Sequence, residues 1–335
     1  MLRNSAEGGS ATPGHVRSST FTAVALGAAL VLTLGGCGSS GGQGTIADEF
    51  ELSSPQGTVR LTVGSKDFTE QQILGEITIQ ALEAAGAEVI DKTALGGTEE
   101  VRVALASGGI DMYWEYTGTG WLVHLAEPDR ISEPEKLYEA VAGEDSDQNG
   151  IEWLKPAPAN NTYSIAVREG TAEDLGVENI SDLGALIEER PKEATLCVGP
   201  EFDSRADGLP GLQRHYGFEF PEDQVFEISA TTVYGAVEKG ETCTFGSVFR
   251  TNGRIGELRL QLLEDDEGFF AAYNPALTMR KETLERYPEL EDLFASISEK
   301  LDTEALRQLS AGVEVEGNRP ADVAERWLQD NGFTS

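Results

Sequence analysis

Asp111-Met112-Tyr113-Trp114-Glu115-Tyr116-Thr117-Gly118-Thr119 places three aromatic rings and two carboxylates within six residues, directly behind a helical run and its Gly108-Gly109 terminator. The pattern is a strand end opening into a helix start. In an open α/β sheet such a turn is where small ligands collect, because strand ends and helix N-termini converge there. Aromatic rings with few basic neighbours suit an organic cation, whose charge is drawn to the ring faces. The same rings also suit a packed core. The stretch alone leaves both readings open.

Upstream, Val59 to Val63 alternates as a strand, and Gly64-Ser65-Lys66-Asp67-Phe68 turns out of it. Thr69 with Gln72 predicts a capping box, followed by apolar residues at helical spacing from Ile73 to Ala85. Glu88 to Lys92 reads as a second strand, Leu95 to Thr98 as a loop, Glu99 to Ser107 as a helix and Ile110 to Tyr113 as a third strand. Strand, helix, strand, helix, strand is the unit of a parallel sheet. Residues 127–150 read as polar and turn-rich, with a helix from Pro134 to Val141. The α/β rhythm then restarts with a strand at Asn161 to Val167 and continues to Phe249. From Lys281 onward the pattern is nearly all helical. The fold class expected is α/β and bilobal: two lobes joined by a hinge, with a helical C-terminal tail.

The chain has 335 residues and a formal net charge of -33. Such a field repels nucleic acid, and it mildly favours cationic or zwitterionic partners. At the N-terminus, His15-Val16-Arg17 precedes the apolar run Phe21 to Leu34, too short for a comfortable membrane span and patterned as an export signal. Leu34-Gly35-Gly36-Cys37 is similar to a bacterial lipobox, in which Cys37 is lipidated and becomes the mature N-terminus. The expected organisation is therefore an export signal over 1–36 and a flexible tether over 37–57, ahead of the two lobes. The expected location is extracytoplasmic, anchored to the cell membrane.

Cys197 and Cys243 remain, one in each of two short apolar runs. Outside the cytoplasm an even remainder of two suggests a disulfide; the alternative is a pair of small buried hydrophobes. With three His in the chain and no ligand spacing around the Cys residues, a zinc site is not expected. No cofactor is expected either. A secreted hydrolase is the competing class, but neither His124 nor His215 stands in a recognisable nucleophile motif. Asp111 and Glu115 read as turn and helix-start carboxylates rather than as an acid/base pair.

Gly64-Ser65-Lys66-Asp67-Phe68-Thr69-Glu70-Gln71, Leu95-Gly96-Gly97-Thr98, Ile110 to Thr119, Asn161-Thr162-Tyr163 and Asp207-Gly208-Leu209 together resemble the osmoprotectant-binding proteins of ABC importers. The resemblance runs from about Val59 to Gly332. It implies a type II periplasmic-binding fold in which the chain crosses twice between lobes, one lobe over 58–162 with 266–335 and the other over 163–265. It also implies a quaternary ammonium ligand such as glycine betaine, choline or carnitine, and an ABC permease with ATPase subunits as partner. A monomer is expected, as is the absence of catalysis. The resemblance also implies a box of rings around the ammonium group, with Tyr116, Tyr163, Phe249 and Tyr273 at the matching positions. Arg205 matches the residue that takes a ligand carboxylate, with Thr119 and Lys66 as helpers. Phe249 stands where the family usually has Tyr, Asn252 where it has Asp, and Trp114 where it has Pro. These departures leave the box intact and the choice among ammonium compounds open, and a sensor without transport is a further reading.

Overall fold

The computed structural model describes residues 45–53, 57–127 and 130–335. The export signal, the lipobox at Cys37 and most of the tether lie outside the described residues. Among the described residues no helix is long and apolar enough to cross a membrane.

Among the described residues ten strands form two five-stranded sheets. In chain order they are β1 (Arg60–Lys66), β2 (Glu88–Gly96), β3 (Met112–Tyr116), β4 (Ile151–Trp153), β5 (Tyr163–Arg168), β6 (Leu196–Val198), β7 (Val225–Glu227), β8 (Phe245–Phe249), β9 (Leu260–Leu262) and β10 (Pro275–Arg280). The first sheet has the order β2-β1-β3-β10-β4 and the second β7-β6-β8-β5-β9. β1 pairs in parallel with both β2 and β3, as the strand-helix rhythm requires. The chain passes between the two sheets twice, after β4 and after β9. Ile73, Leu74, Ile77 and Leu82 of the Thr69–Ala84 helix are fully buried and pack with Leu290, Leu306 and Leu328 of the C-terminal helices in the first core. The second core is built on β5, β6 and β8 and includes Phe269, just past the boundary expected at 265.

Several boundaries differ from the sequence reading, for identifiable reasons. The packed chain begins before Gly57: Ile46 and Leu52 are 2% and 5% exposed in the first core, and the Ile46 N–H donates to the Phe333 carbonyl at 2.8 Å. Two apolar side chains and a backbone partner at the far end of the chain hold this segment in place. The predicted capping box at Thr69 does not form. Thr69 is the first helical residue after Phe68, and Gln72 reaches back to the Asp67 carbonyl at 2.9 Å. The helix expected to stop at Val141 runs over Pro134–Asn149, ending at Gly150 in the left-handed region. Its polar final turns persist because Asp145 is fully buried between Arg102 and the Trp153 indole, and Asn149 also donates to it. β4, β9 and β10 were not legible as strands.

Cys197, on β6, is bonded to Cys243, just ahead of β8, with an S–S distance of 2.07 Å across a sequence separation of 46. The parallel pairing of β6 with β8 sets Cys197 opposite Gly246, and Cys243 comes to a Cα–Cα distance of 5.7 Å from Cys197.

Candidate aromatic ligand site

The opening stretch divides by the alternation of a strand. Trp114 faces the first core, 1% exposed, and its indole N–H donates to the Thr78 hydroxyl at 2.8 Å. Tyr113 packs in a separate small core beneath the sheet. Tyr116, at the strand end, joins Phe68, Ala271 and Tyr273 in a cluster at the interlobe crossing. Trp114 and Tyr113 are therefore core rings, whereas Tyr116 joins a cluster of rings between the two sheets.

The ring cluster is assembled from both lobes. Phe68 lies in near-parallel stacking with Phe249, centroids 5.2 Å apart, and with Tyr116 at 6.2 Å. Phe249 meets Tyr163 at 4.7 Å, and Tyr163 meets Tyr273 edge-on at 6.1 Å. Tyr163 and Phe249 are neighbours because β5 and β8 are antiparallel partners in direct register there. Tyr116, Tyr163 and Tyr273 are buried, while Phe249 is partly exposed. Phe68 was missed in the sequence reading. Its signal was present, since it ends the Gly64-to-Phe68 turn that carries β1 into the first helix. A small cavity of about 20 Å³ is lined by Phe68, Glu70, Tyr234, Phe249 and Glu314. A separate, larger cleft of about 570 Å³ is lined by Leu122, Asp207, Gly211 and Phe269.

Lys66 ends β1 with its side chain buried. Its Nζ is 2.6 Å from Glu115 Oε1 and 5.3 Å from the Tyr116 ring centroid. Glu115 corrects the turn reading, because it is fully buried and also accepts from the Tyr113 hydroxyl at 2.9 Å and contacts His124 Nε2 at 2.8 Å. Burial alone would raise its pKa. The Lys66 charge and the His124 contact outweigh it and hold the carboxyl well below its ordinary range. Asp111 does not serve the turn either: its carboxylate accepts the Thr62 backbone N–H and an Arg280 N–H, both from strands distant in the chain.

Arg205 is already engaged. Its Nε donates to Asp207 Oδ1 at 2.8 Å, Nη2 to Asp207 Oδ2, and Nη1 to Glu201 Oε2 at 3.0 Å. Asp207 in turn accepts from the Tyr273 hydroxyl, tying the guanidinium to a ring of the cluster. Thr119 is 2% exposed in the short helical segment that follows Tyr116.

On the other side of Tyr116, the Glu70 carboxyl is buried. It accepts from the Tyr116 hydroxyl at 2.7 Å and from Asn161 Nδ2 at 2.8 Å. The Thr251 hydroxyl touches both Glu70 and Asn161 Oδ1, but has only one proton for these two acceptors. A protonated Glu70 donating to Thr251 satisfies all of them. Burial raises the Glu70 pKa to about 7 against the lowering effect of these hydrogen bonds. The unfolded carboxyl releases its proton near 4.5, so folding takes up a proton between about pH 4.5 and 7. Glu70 therefore makes stability fall as pH rises through that window, by up to about 3 kcal/mol, after which its contribution is flat. Urea unfolding of the wild type and Glu70→Gln at pH 5 and pH 8 checks this. The glutamine variant should gain relative stability at pH 8, and an unchanged difference would mean that Glu70 is ionised at both.

Gly118 sets the approach of Tyr273. A Cβ there would lie 2.8 Å from the Ala272 carbonyl oxygen and 2.9 Å from the Tyr273 ring. Gly118→Ala is expected to cost about 1–3 kcal/mol by overpacking. It should also weaken ligand binding by roughly tenfold as the ring is displaced, readable by calorimetry.

A family model described as the substrate binding domain of an ABC-type glycine betaine transport system matches residues 59–330. The chain is 36% identical over 277 residues to the glycine betaine-binding protein YehZ of Escherichia coli strain K12, covering 81% of this chain and 90% of that protein. It is 37% identical over 276 residues to a glycine-betaine-binding protein of Pseudomonas aeruginosa, covering 81% and 88%. The solved structure of apo YehZ from Escherichia coli superposes with a TM-score of 0.62 at 35% identity, covering 82% of this chain and 99% of that one. Such a domain has a small-molecule ligand and a permease partner rather than a reaction to catalyse. The two-sheet, ring-lined chain described above belongs to the family of substrate-binding domains of ABC-type glycine betaine transport systems.

Proposed function

We propose that this chain is an extracytoplasmic receptor that captures a quaternary ammonium osmoprotectant between its lobes and delivers it to an ABC permease. The observation that carries the reading is the convergence of rings from both sheets: Phe68, Tyr116 and Tyr273 on one side, Tyr163 and Phe249 on the other. A quaternary ammonium has no N–H to donate, so ring faces select it where hydrogen bonds cannot; each contributes about 0.5–2 kcal/mol. Lys66 over the Tyr116 ring is an internal instance of the same contact. The rings touch one another, so a guest enters by parting them and exchanges ring–ring for ring–cation contact. Arg205, Lys66 and Thr119 form the polar end of the site in this reading.

The lobes divide in this proposal at 58–162 with 266–335 against 163–265. Lipidation at Cys37 holds a monomeric receptor at the membrane, and the residues between Cys37 and the packed chain act as the tether. A sensor role without transport would use the same site. Calorimetric titration with glycine betaine, choline and carnitine, against glycine and ethanolamine as non-methylated controls, tests the proposal. Binding confined to the trimethylammonium compounds supports it; binding of the controls alone would sink the osmoprotectant reading while leaving the fold intact.

A further inference from the structure

We propose that Glu201 occupies the seat of a ligand carboxylate and makes this receptor selective for quaternary ammonium cations that carry no carboxylate. The inference rests on the aromatic box proposed above. Glu201 belongs to the short helix that begins at Pro200, in the second lobe, and its carboxylate crosses to the first lobe. Oε1 accepts the Thr98 backbone N–H at 2.8 Å, and Oε2 accepts the Thr98 hydroxyl at 3.0 Å and Arg205 Nη1 at 3.0 Å. Thr98 opens the Thr98–Ala106 helix, whose N-terminal N–H groups and dipole favour an anion. Oε1 would also lie 2.8 Å from a Cβ built on Gly97, so the carboxylate is pressed against the backbone of the Gly96-Gly97 turn. Burial raises the Glu201 pKa, but the nearby Lys66 and Arg205 charges and the Thr98 contacts hold it below the ordinary carboxylate range.

A helix N-terminus, a hydroxyl and a guanidinium converging on one carboxylate are the donors that a zwitterionic ligand would need for its own anion. Here a side chain of the protein has them. Asp207 takes two further N–H groups of Arg205, so this one guanidinium faces two carboxylates and the group is net negative. A cation entering the adjacent rings balances that charge. A zwitterion leaves it unbalanced, and its carboxylate must either displace Glu201 or lie beside it unpaired. Displacing Glu201 also breaks its contact with Thr98, which joins the lobes. Closure and rejection of carboxylates therefore depend on the same side chain.

The test titrates wild type and Glu201→Gln with tetramethylammonium, choline and glycine betaine. Tetramethylammonium probes the rings without any tail. Wild type is expected to bind choline at least roughly tenfold more tightly than glycine betaine. In Glu201→Gln the ratio of glycine betaine to tetramethylammonium affinity should rise by at least roughly tenfold, whatever the variant does to tetramethylammonium itself. Wild-type binding of glycine betaine as tight as that of choline, or a ratio unmoved by the substitution, overturns the proposal while leaving the aromatic box standing. Absence of binding by tetramethylammonium and choline alike overturns the box and this inference with it. A parallel Asp207→Asn variant, which removes the second carboxylate on Arg205 without touching Thr98, should shift the ratio in the same direction.

Discussion

Replacing both Cys197 and Cys243 with alanine is expected to lower the stability of the second lobe by about 4 kcal/mol. The figure follows from the loop-closure entropy that a cross-link removes from the unfolded chain, applied to a sequence separation of 46. Both cysteines are buried beside the β6–β8 pairing, in a cluster with Val233, Tyr234, Val237 and Val248, so native packing adds little exposure to compensate. Urea unfolding of the wild type with and without reductant, beside the double variant, reads the effect. Reduction should bring the wild type close to the variant, and the variant should not respond to reductant. A midpoint shift equivalent to less than about 1 kcal/mol would mean that the unfolded chain is already restricted in this region. Since the ring cluster takes Tyr163 and Phe249 from the same sheet, binding should survive in the variant wherever the second lobe remains folded.

Tyr163→Ala should cost the most in binding. Tyr163 is the ring that touches the most others, with Phe202, Phe249, Phe270 and Tyr273 all within ring-contact distance. Truncation removes a ring of the proposed box and opens a cavity among its neighbours, at about 3–5 kcal/mol of stability for a large buried aromatic. Ligand affinity should fall by at least roughly 100-fold, equivalent to about 3 kcal/mol. Tyr163→Phe separates the two effects, because it keeps the ring face and should retain affinity within a few-fold. If Tyr163→Ala is folded by circular dichroism and still binds choline as the wild type does, the box does not include this ring. If Tyr163→Phe loses binding as fully as the alanine variant, the hydroxyl rather than the ring face is what the ligand reads.

The sequence legibly carried what local chemistry decides. β1, the Thr69–Ala84 helix and β3 follow from alternation, helical spacing and the Gly108-Gly109 stop, which are patterns among neighbouring residues. The turn after Tyr116 was legible for the same reason. The strands that escaped, β4, β9 and β10, lack a decisive pattern of their own. β10 is extended because β3 and β4 flank it on both edges, and β9 because it closes the edge beside β5. Polar residues misled most where partners are distant in the chain: Asp145 prolongs a helix because Arg102 and Trp153 meet it, and Glu115 is a buried ion pair rather than a turn carboxylate because Lys66 comes from β1.

The family resemblance pointed to Tyr116, Tyr163, Phe249 and Tyr273, and the fold brings these rings into one cluster. Phe68 and Glu70 could not be assigned to the same site without the tertiary structure, although they stand in one of the motifs that carry that resemblance. The clearest division falls at Arg205. By itself the sequence determined the class of fold and the acidic field, while the family resemblance singled out Arg205. Only the tertiary structure decided that the arginine is shared between Asp207 and Glu201, with Glu201 also held by Thr98 of the opposite lobe. The physical reason is that a charge is specified by its residue, whereas its neutralisation depends on which distant groups the fold brings within about 3 Å of it.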